Sequence, residues 1–239
     1  MSDAGPRGWG APLYAAVLDA TGVSAGTVLL DVGCGTGDLA RAAVARGARV
    51  TGIDVDPAAV AVAAAAVPGA AFAVGDARTP PPGPFDVVAA VQLLGHVADP
   101  QAVLAAAGAA GAVVAATVWG REDECDVRLF GEALAPWLPP RRAPAVPPPV
   151  EEPARLRALA EGAGLVVERL DEVRCPFDYA DDDELLGPLL GSALGRAAAR
   201  RAGPAAVAAA VRQRLAGHRT AAGGYRLHNV FRLLVARPV

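Results

Sequence analysis

Residues 28–40 read "VLLDVGCGTGDLA": an apolar run closing on Asp31, glycines at 33, 35 and 37, then helix-forming residues. Such a run is expected to carry a buried strand to the C-terminal edge of a sheet. Glycines there let the backbone turn tightly and approach a ligand with no Cβ in the way. The next helix offers free N–H groups at its positive end, and in open α/β sheets this edge is where ligands sit. The spacing separates the candidate ligands. A dinucleotide fingerprint G-x-G-x-x-G, counted from Gly33 and Gly35, requires glycine at position 38, where Asp38 stands. A carboxylate at that point would face a pyrophosphate. A phosphate-cradling P-loop requires Gly-Lys, and the chain contains no lysine. Both phosphate readings fail.

Outward from this loop, apolar segments alternate with alanine-rich ones, the pattern of a parallel α/β sheet. Strands are predicted at 28–31, 49–54, 70–75, 85–91, 112–118, 165–174 and 225–236. Helices are predicted at 36–46, 57–67, 100–107, 121–135 and 152–162, with a helical insertion covering 181–201 and 204–217 between the last two strands. "TPPPGP" (79–84) must be loop, because proline cannot serve a central ladder. "LPPRRAPAVPPP" (138–149) reads as a proline-rich surface connector.

The 239 residues suffice for one core, hence a single domain with decorations. A net charge of −3 lacks the basic excess of a nucleic-acid binder. All 22 basic residues are arginine, which together with the abundant Ala, Gly and Pro reflects GC-rich coding. The N-terminus shows no apolar signal region, and 102–119 is too short and Gly-interrupted to span a membrane. Three cysteines without metal-site spacing point to a reducing compartment. The expectation is a cytoplasmic protein, monomer or homodimer, without membrane or nucleic-acid partners.

With phosphates set aside, the sequence resembles the class I S-adenosylmethionine-dependent methyltransferases, closely over residues 25–120. Four landmarks carry the resemblance: "LLDVGCGTG" (29–37), "VTGIDVDPAAV" (50–60), "AAFAVGDA" (70–77) and "PFDVVAAVQLLGHV" (84–97). It implies a Rossmann-like, seven-stranded, mostly parallel sheet with helices on both faces and a helical lid inserted between strands six and seven. The core would comprise 25–175 and 225–239, with lid segments 1–24 and 176–224. Gly33, Gly35 and Gly37 would wrap the methionine part of the cofactor, and Asp31 would hold its ammonium. Asp54 would accept from the ribose hydroxyls, Val55 would pack on the adenine, and Asp76 with the Ala77 backbone would meet its amine. Val91 and Gln92 would line the channel near the sulfonium. A solvated turn carboxylate is the bland alternative for Asp54, with Asp56 its near competitor.

Several methyltransferase subclasses are excluded. "QLLGH" (92–96) stands where base and glutamine N-methylating enzymes carry [ND]-P-P-[YF], and the Pro-Cys order of cytosine C5 methylation is missing. No acidic cluster of the metal-dependent catechol type is found, so no metal is expected. "ATVWGRED" (116–123) and the segment 176–238 resemble, more loosely, the small-molecule branch that includes quinone-biosynthesis and natural-product enzymes. "LAAAGAAGA" (104–112) replaces the usual turn before strand five, from which a shortened helix is expected. The implied activity is methyl transfer to a small metabolite, O-methylation first, with N- or C-methylation next and S-adenosylhomocysteine as product. A catalytically silent cofactor-binding regulator and a nicotinamide oxidoreductase are the rivals. His96, then His228, are candidate bases, each weighed against a structural or surface role, while His218 reads as a solvated helix end. Trp9, Tyr14, Trp119, Tyr225 and Asn229 are candidate pocket walls, with plain packing the alternative. "DYADDDE" (178–184) reads as an acidic helix cap.

Overall fold

The computed structural model describes residues 5–139 and 149–239. The proline-rich connector, from 140 to 148, and the first four residues of the N-terminal segment lie outside them. Along the chain the elements are α1 (Ala11–Ala20), β1 (Val28–Val32), α2 (Asp38–Ala45), β2 (Arg49–Asp54), α3 (Pro57–Ala66) and β3 (Ala71–Val74). Then come β4 (Phe85–Val91), α4 (Pro100–Ala110), β5 (Gly111–Trp119), α5 (Arg128–Leu134), α6 (Pro153–Gly162) and β6 (Leu165–Arg174). The chain closes with β7 (Phe177–Tyr179), α7 (Asp182–Gly191), α8 (Ala193–Ala202), α9 (Pro204–Arg214), β8 (Tyr225–Leu227) and β9 (Val230–Pro238).

Two compact units share these elements. The larger holds a seven-stranded sheet in the order β3-β2-β1-β4-β5-β9-β6. The pairs among β1 to β5 are parallel, and β9 runs antiparallel to β5. This is the Rossmann-like sheet expected from the sequence. Its near-continuous apolar strands follow from burial on both faces, and the two-residue period sorts their side chains. Leu30, Val32, Val88, Ala90, Val114 and Ala116 share one cluster with Val103 and Leu104 of α4 and Leu156 and Leu159 of α6. Leu29, Val87, Ala89, Val113 and Ala115 share the other with Val17 and Leu18 of α1 and Leu39, Ala40 and Ala43 of α2.

The smaller unit takes described residues 5–9, 120–139 and 174–230. It contains α5, α7, α8, α9 and a two-stranded antiparallel sheet, β7 with β8. Leu134, Ala198 and Val207 form a core of its own. Tyr225 is fully buried, and its hydroxyl donates to Asp182 at 2.7 Å, with the Arg219 guanidinium over the ring. Asp181 caps α7 by accepting the Glu184 N–H at 2.9 Å, so the acidic run begins as a helix cap.

Four sequence-based expectations are corrected. The strand predicted at 225–236 is split, because residues 228–229 give their backbone groups to other partners. His228 N–H donates to the Asp126 carboxylate at 2.8 Å, and the Asn229 carbonyl accepts from Cys175. The helix predicted at 181–201 breaks at Ser192, whose hydroxyl donates to the Leu189 carbonyl behind it and accepts the Gly195 N–H ahead. The stretch 121–135 opens with a 3₁₀ turn at Glu122–Glu124 before α5. Finally, α4 is longer than expected: it runs to Ala110 and passes straight into β5. Alanine's helix propensity and the burial of Ala107 and Ala110 sustain the extra turn. Among the described residues no helix is long and apolar enough to cross a membrane.

Candidate cofactor site

Parallel pairing aligns the C-terminal ends of β1, β2, β3 and β4 along one edge, with Val32 beside Ile53 and Asp54 beside Val74. The loop after β1 follows from its glycines, with φ of +73° at Gly33, +52° at Gly35 and +86° at Gly37, the left-handed region that side chains disfavour. Gly33 and Cys34 donate N–H groups to the Ile53 carbonyl at 2.8 and 3.0 Å, fastening the loop to β2. A Cβ on Gly33 would lie 2.8 Å from Leu93 Cδ1, whereas one on Gly35 would enter open space. Gly35 thus faces open space, and Gly33 admits Leu93. Gly33→Ala is expected to cost about 2–4 kcal/mol from the left-handed φ and the clash together. Thermal unfolding checks this, and an unchanged midpoint would refute it.

Asp31, at the end of β1, is 2 % exposed, and its Oδ2 has no hydrogen-bond partner. Burial, then the charges of Asp54 and Asp38, push its pKa up to about 7. The same causes, burial first and then Asp31 and Asp54, push the Cys34 thiol up to about 12, so this buried cysteine is no nucleophile. A buried carboxylate without a partner, with two more nearby, suits a cation and repels phosphate.

Asp54 ends β2 and serves the loop directly. Its Oδ2 accepts the Gly35 N–H at 2.9 Å and its Oδ1 the Asp56 N–H at 3.0 Å. Asp56 is engaged otherwise, as N-cap of α3, accepting the Ala58 N–H at 2.9 Å. Val55, between the two, is 69 % exposed, an apolar side chain just past the C-terminal end of β2. Asp76 lies two residues beyond the end of β3, beside the buried Ala77. The Arg78 side chain and N–H hold its carboxyl down at about 2. It is ionised and an acceptor only, in an exposed ion pair at 2.6 Å.

Val91 ends β4, and Gln92 follows with a φ of 56°, a conformation that costs a non-glycine residue on the order of 1–3 kcal/mol. Thr117 of β5 holds it there: its hydroxyl accepts both the Gln92 N–H and the Nε2 amide at 3.1 Å, and its carbonyl also accepts the N–H. Neither Thr117 nor Leu93 was singled out from the sequence. The one signal was a hydroxyl inside the otherwise apolar "AVVAATV" (112–118).

His96 closes a 3₁₀ turn after β4 and is exposed. His228 is also exposed, in the break between β8 and β9. His218 is not simply solvated: its Nδ1 lies 3.4 Å from the Asp126 carboxylate. Of the five candidate pocket walls, Tyr14 is half-buried against the α1–α2 side of the sheet, and Trp119 stacks on Phe231 with centroids 4.4 Å apart. In the smaller unit Trp9 packs on Phe177 at 5.1 Å. Asn229 is 1 % exposed; its Oδ1 accepts the Val127 N–H, while its Nδ2 has no partner. Full burial and the bond to Asp182 make Tyr225 a core residue of its unit instead of a pocket wall. Among the described residues no group of three or more His, Cys, Asp or Glu could hold a metal ion.

The sheet order defines a Rossmann-like fold, and comparison with known proteins finds a likeness to methyltransferases over part of the chain. Residues 29–113 match the family model described as "Methyltransferase domain". This bears out the resemblance read from the four sequence landmarks. Over 102 residues the chain is 40% identical to ubiquinone biosynthesis O-methyltransferase of Pseudomonas paraeruginosa and 38% identical to that of Chromobacterium violaceum. Each match covers 40% of this chain and 44% of the relative, so the chain spans less than half the length of the curated relatives it matches. Among solved structures, the 4+2 cyclase SpnF aligns with a TM-score of 0.60 at 23% identity, covering 95% of this chain and 81% of that one. Magnesium protoporphyrin IX methyltransferase of Synechocystis PCC 6803, solved with S-adenosylhomocysteine, aligns at 0.57 and 16%, covering 96% and 84%. These likenesses are of fold.

Proposed function

We propose that the protein transfers a methyl group from S-adenosylmethionine to an oxygen of a small-molecule metabolite, without a metal. One observation carries the donor assignment: the buried, partnerless Asp31 carboxylate beside a glycine loop that leaves its ligand side open. The cofactor supplies an electrophilic methyl on a sulfonium and carries an ammonium but no phosphate, so the donor set fits it. Asp31 would take the ammonium, and Gly33, Gly35 and Gly37 the methionine chain. Asp54 would take the ribose hydroxyls, Val55 the adenine face, and Asp76 with the Ala77 backbone its amine. Val91 and Gln92 would border the reacting centre, with Thr117 fixing Gln92. The O-methyltransferase relatives support oxygen as the accepting atom, and the absence of a basic excess supports a small acceptor over nucleic acid. We assign a cytoplasmic setting to the protein.

These residues have three tasks: to hold the donor, to align the acceptor oxygen opposite the sulfonium, and to take the proton of a hydroxyl acceptor. His96, His228 and the Asp126-paired His218 are the base candidates. Alanine at the true base is expected to lower kcat about 10²–10⁴-fold with cofactor affinity unchanged, while the other two leave kcat within about threefold. Steady-state kinetics with a methylated acceptor checks this. If all three variants stay active, no histidine is the base. Incubation with methyl-labelled S-adenosylmethionine and a panel of phenols, hydroxyquinones and amines tests the reading as a whole, transfer to oxygen being the expected result. Binding without transfer to any acceptor would favour a non-methylating role, which this fold supports in the cyclase.

A further inference from the structure

From Pro57 to Gly75 the chain carries nineteen consecutive residues without one charged or hydrogen-bonding side chain. They are not core. Only Ala63 and Val67 are buried and twelve are exposed, with Val62 at 51 % and Val74 at 59 %. The segment is α3 followed by β3, the terminal strand of the sheet. A helix that is apolar all round is ordinarily covered, and an edge strand offers a row of unpaired backbone groups. Among the described residues, α3 is the one α-helix of nine with no polar side chain, whereas α2, α8 and α9, also rich in alanine though less so, carry arginines.

We propose that this face is covered by a second copy of the chain, paired edge to edge through β3. Antiparallel pairing about a two-fold axis normal to the sheet would set Ala71 opposite Val74 and Phe72 opposite Ala73, extending seven strands to fourteen. That axis keeps both α3 helices on the same side of the joined sheet, adjacent across it, so each covers the other's apolar surface. Identical partners suit a face with no charge, since no like charges meet; an anionic lipid surface or nucleic acid would find no basic side chain between 57 and 75. A ten-residue helix about 15 Å long beside a four-residue strand about 13 Å long offers roughly 400–500 Å² per copy. That is below the roughly 800 Å² of a standard interface, so the dimer is expected to dissociate on dilution through the micromolar range. The inference does not depend on the methyl-transfer reading.

Sedimentation velocity and light scattering over such a dilution series test it. The wild-type chain is expected at twice the chain mass at the concentrated end. The double variant Val62→Arg/Val74→Arg is expected to be monomeric throughout, with an unchanged circular-dichroism spectrum. Val166→Arg, at a residue 55 % exposed on the opposite edge strand β6, should still dimerise. A monomeric wild-type chain would overturn the proposal, whether or not it floats with phosphatidylcholine vesicles. So would a dimer that survives the double variant, or one lost only with Val166→Arg.

Discussion

Asp31→Asn is expected to make the protein more stable and unable to hold its cofactor. The ligand-free protein keeps a carboxyl with a pKa of about 7, whereas the unfolded chain has the ordinary value of 3.8. Between those values the folded state holds a proton that the unfolded state has lost. Stability from this group is therefore fully present below about pH 4 and is lost as pH rises through 7. The difference of about 3 units corresponds to about 4 kcal/mol at pH 8, since each unit is worth 1.36 kcal/mol. Asparagine removes the buried charge but still needs hydrogen bonds, so about half of that should be recovered. The expected rise in melting temperature at pH 8 is roughly 4–8 °C, with a flatter pH profile between 4 and 7. Cofactor affinity should fall about 100-fold or more, because a buried ammonium would lose its counter-charge. In the unmutated protein, affinity should climb about tenfold per pH unit below 7 and then level, as Asp31 gives up its proton to bind. Calorimetry with S-adenosylhomocysteine and thermal melts across pH check both halves. A variant that is less stable and binds as before would refute the assignment.

The second large effect is at Asp54. Its two oxygens tie down the Gly35 and Asp56 N–H groups and are also proposed to receive the ribose. Asp54→Ala removes the ligand's acceptor and loosens the glycine loop, so affinity should fall at least 100-fold and stability by about 1–3 kcal/mol. Asp56→Ala separates this from mere loss of charge. It deletes the α3 cap at a cost of about 1 kcal/mol and should change cofactor affinity less than threefold. Equal losses of affinity in the two variants would mean that the ribose acceptor has been misplaced by two residues.

The sheet was legible because burial on both faces writes its strands as apolar runs and its loops as glycine and proline. The placing of Asp31 and Asp54 at strand ends and of the three glycines in a left-handed turn was legible because such positions constrain residue type at fixed spacing. What escaped depended on partners distant in sequence. The break at His228–Asn229 is set by Asp126 and Cys175. The burial of Tyr225 is set by Asp182, 43 residues away. Gln92 takes its left-handed turn because Thr117, on the next strand, accepts its N–H. No local pattern announces such contacts. The helix break at Ser192 differs, since "LLGSALG" (189–195) carries a Gly-Ser pair that serves as a stop and a cap.

Whether the glycine loop is a cradle for methionine and adenosine is tested most directly by isothermal titration of the protein with S-adenosylhomocysteine and with NAD at pH 6.5, in two buffers of different ionisation enthalpy. Saturable binding of S-adenosylhomocysteine with release of a proton from Asp31, and no heat with NAD, is the expected result. Binding of NAD, with none of S-adenosylhomocysteine, would contradict the proposed cradle.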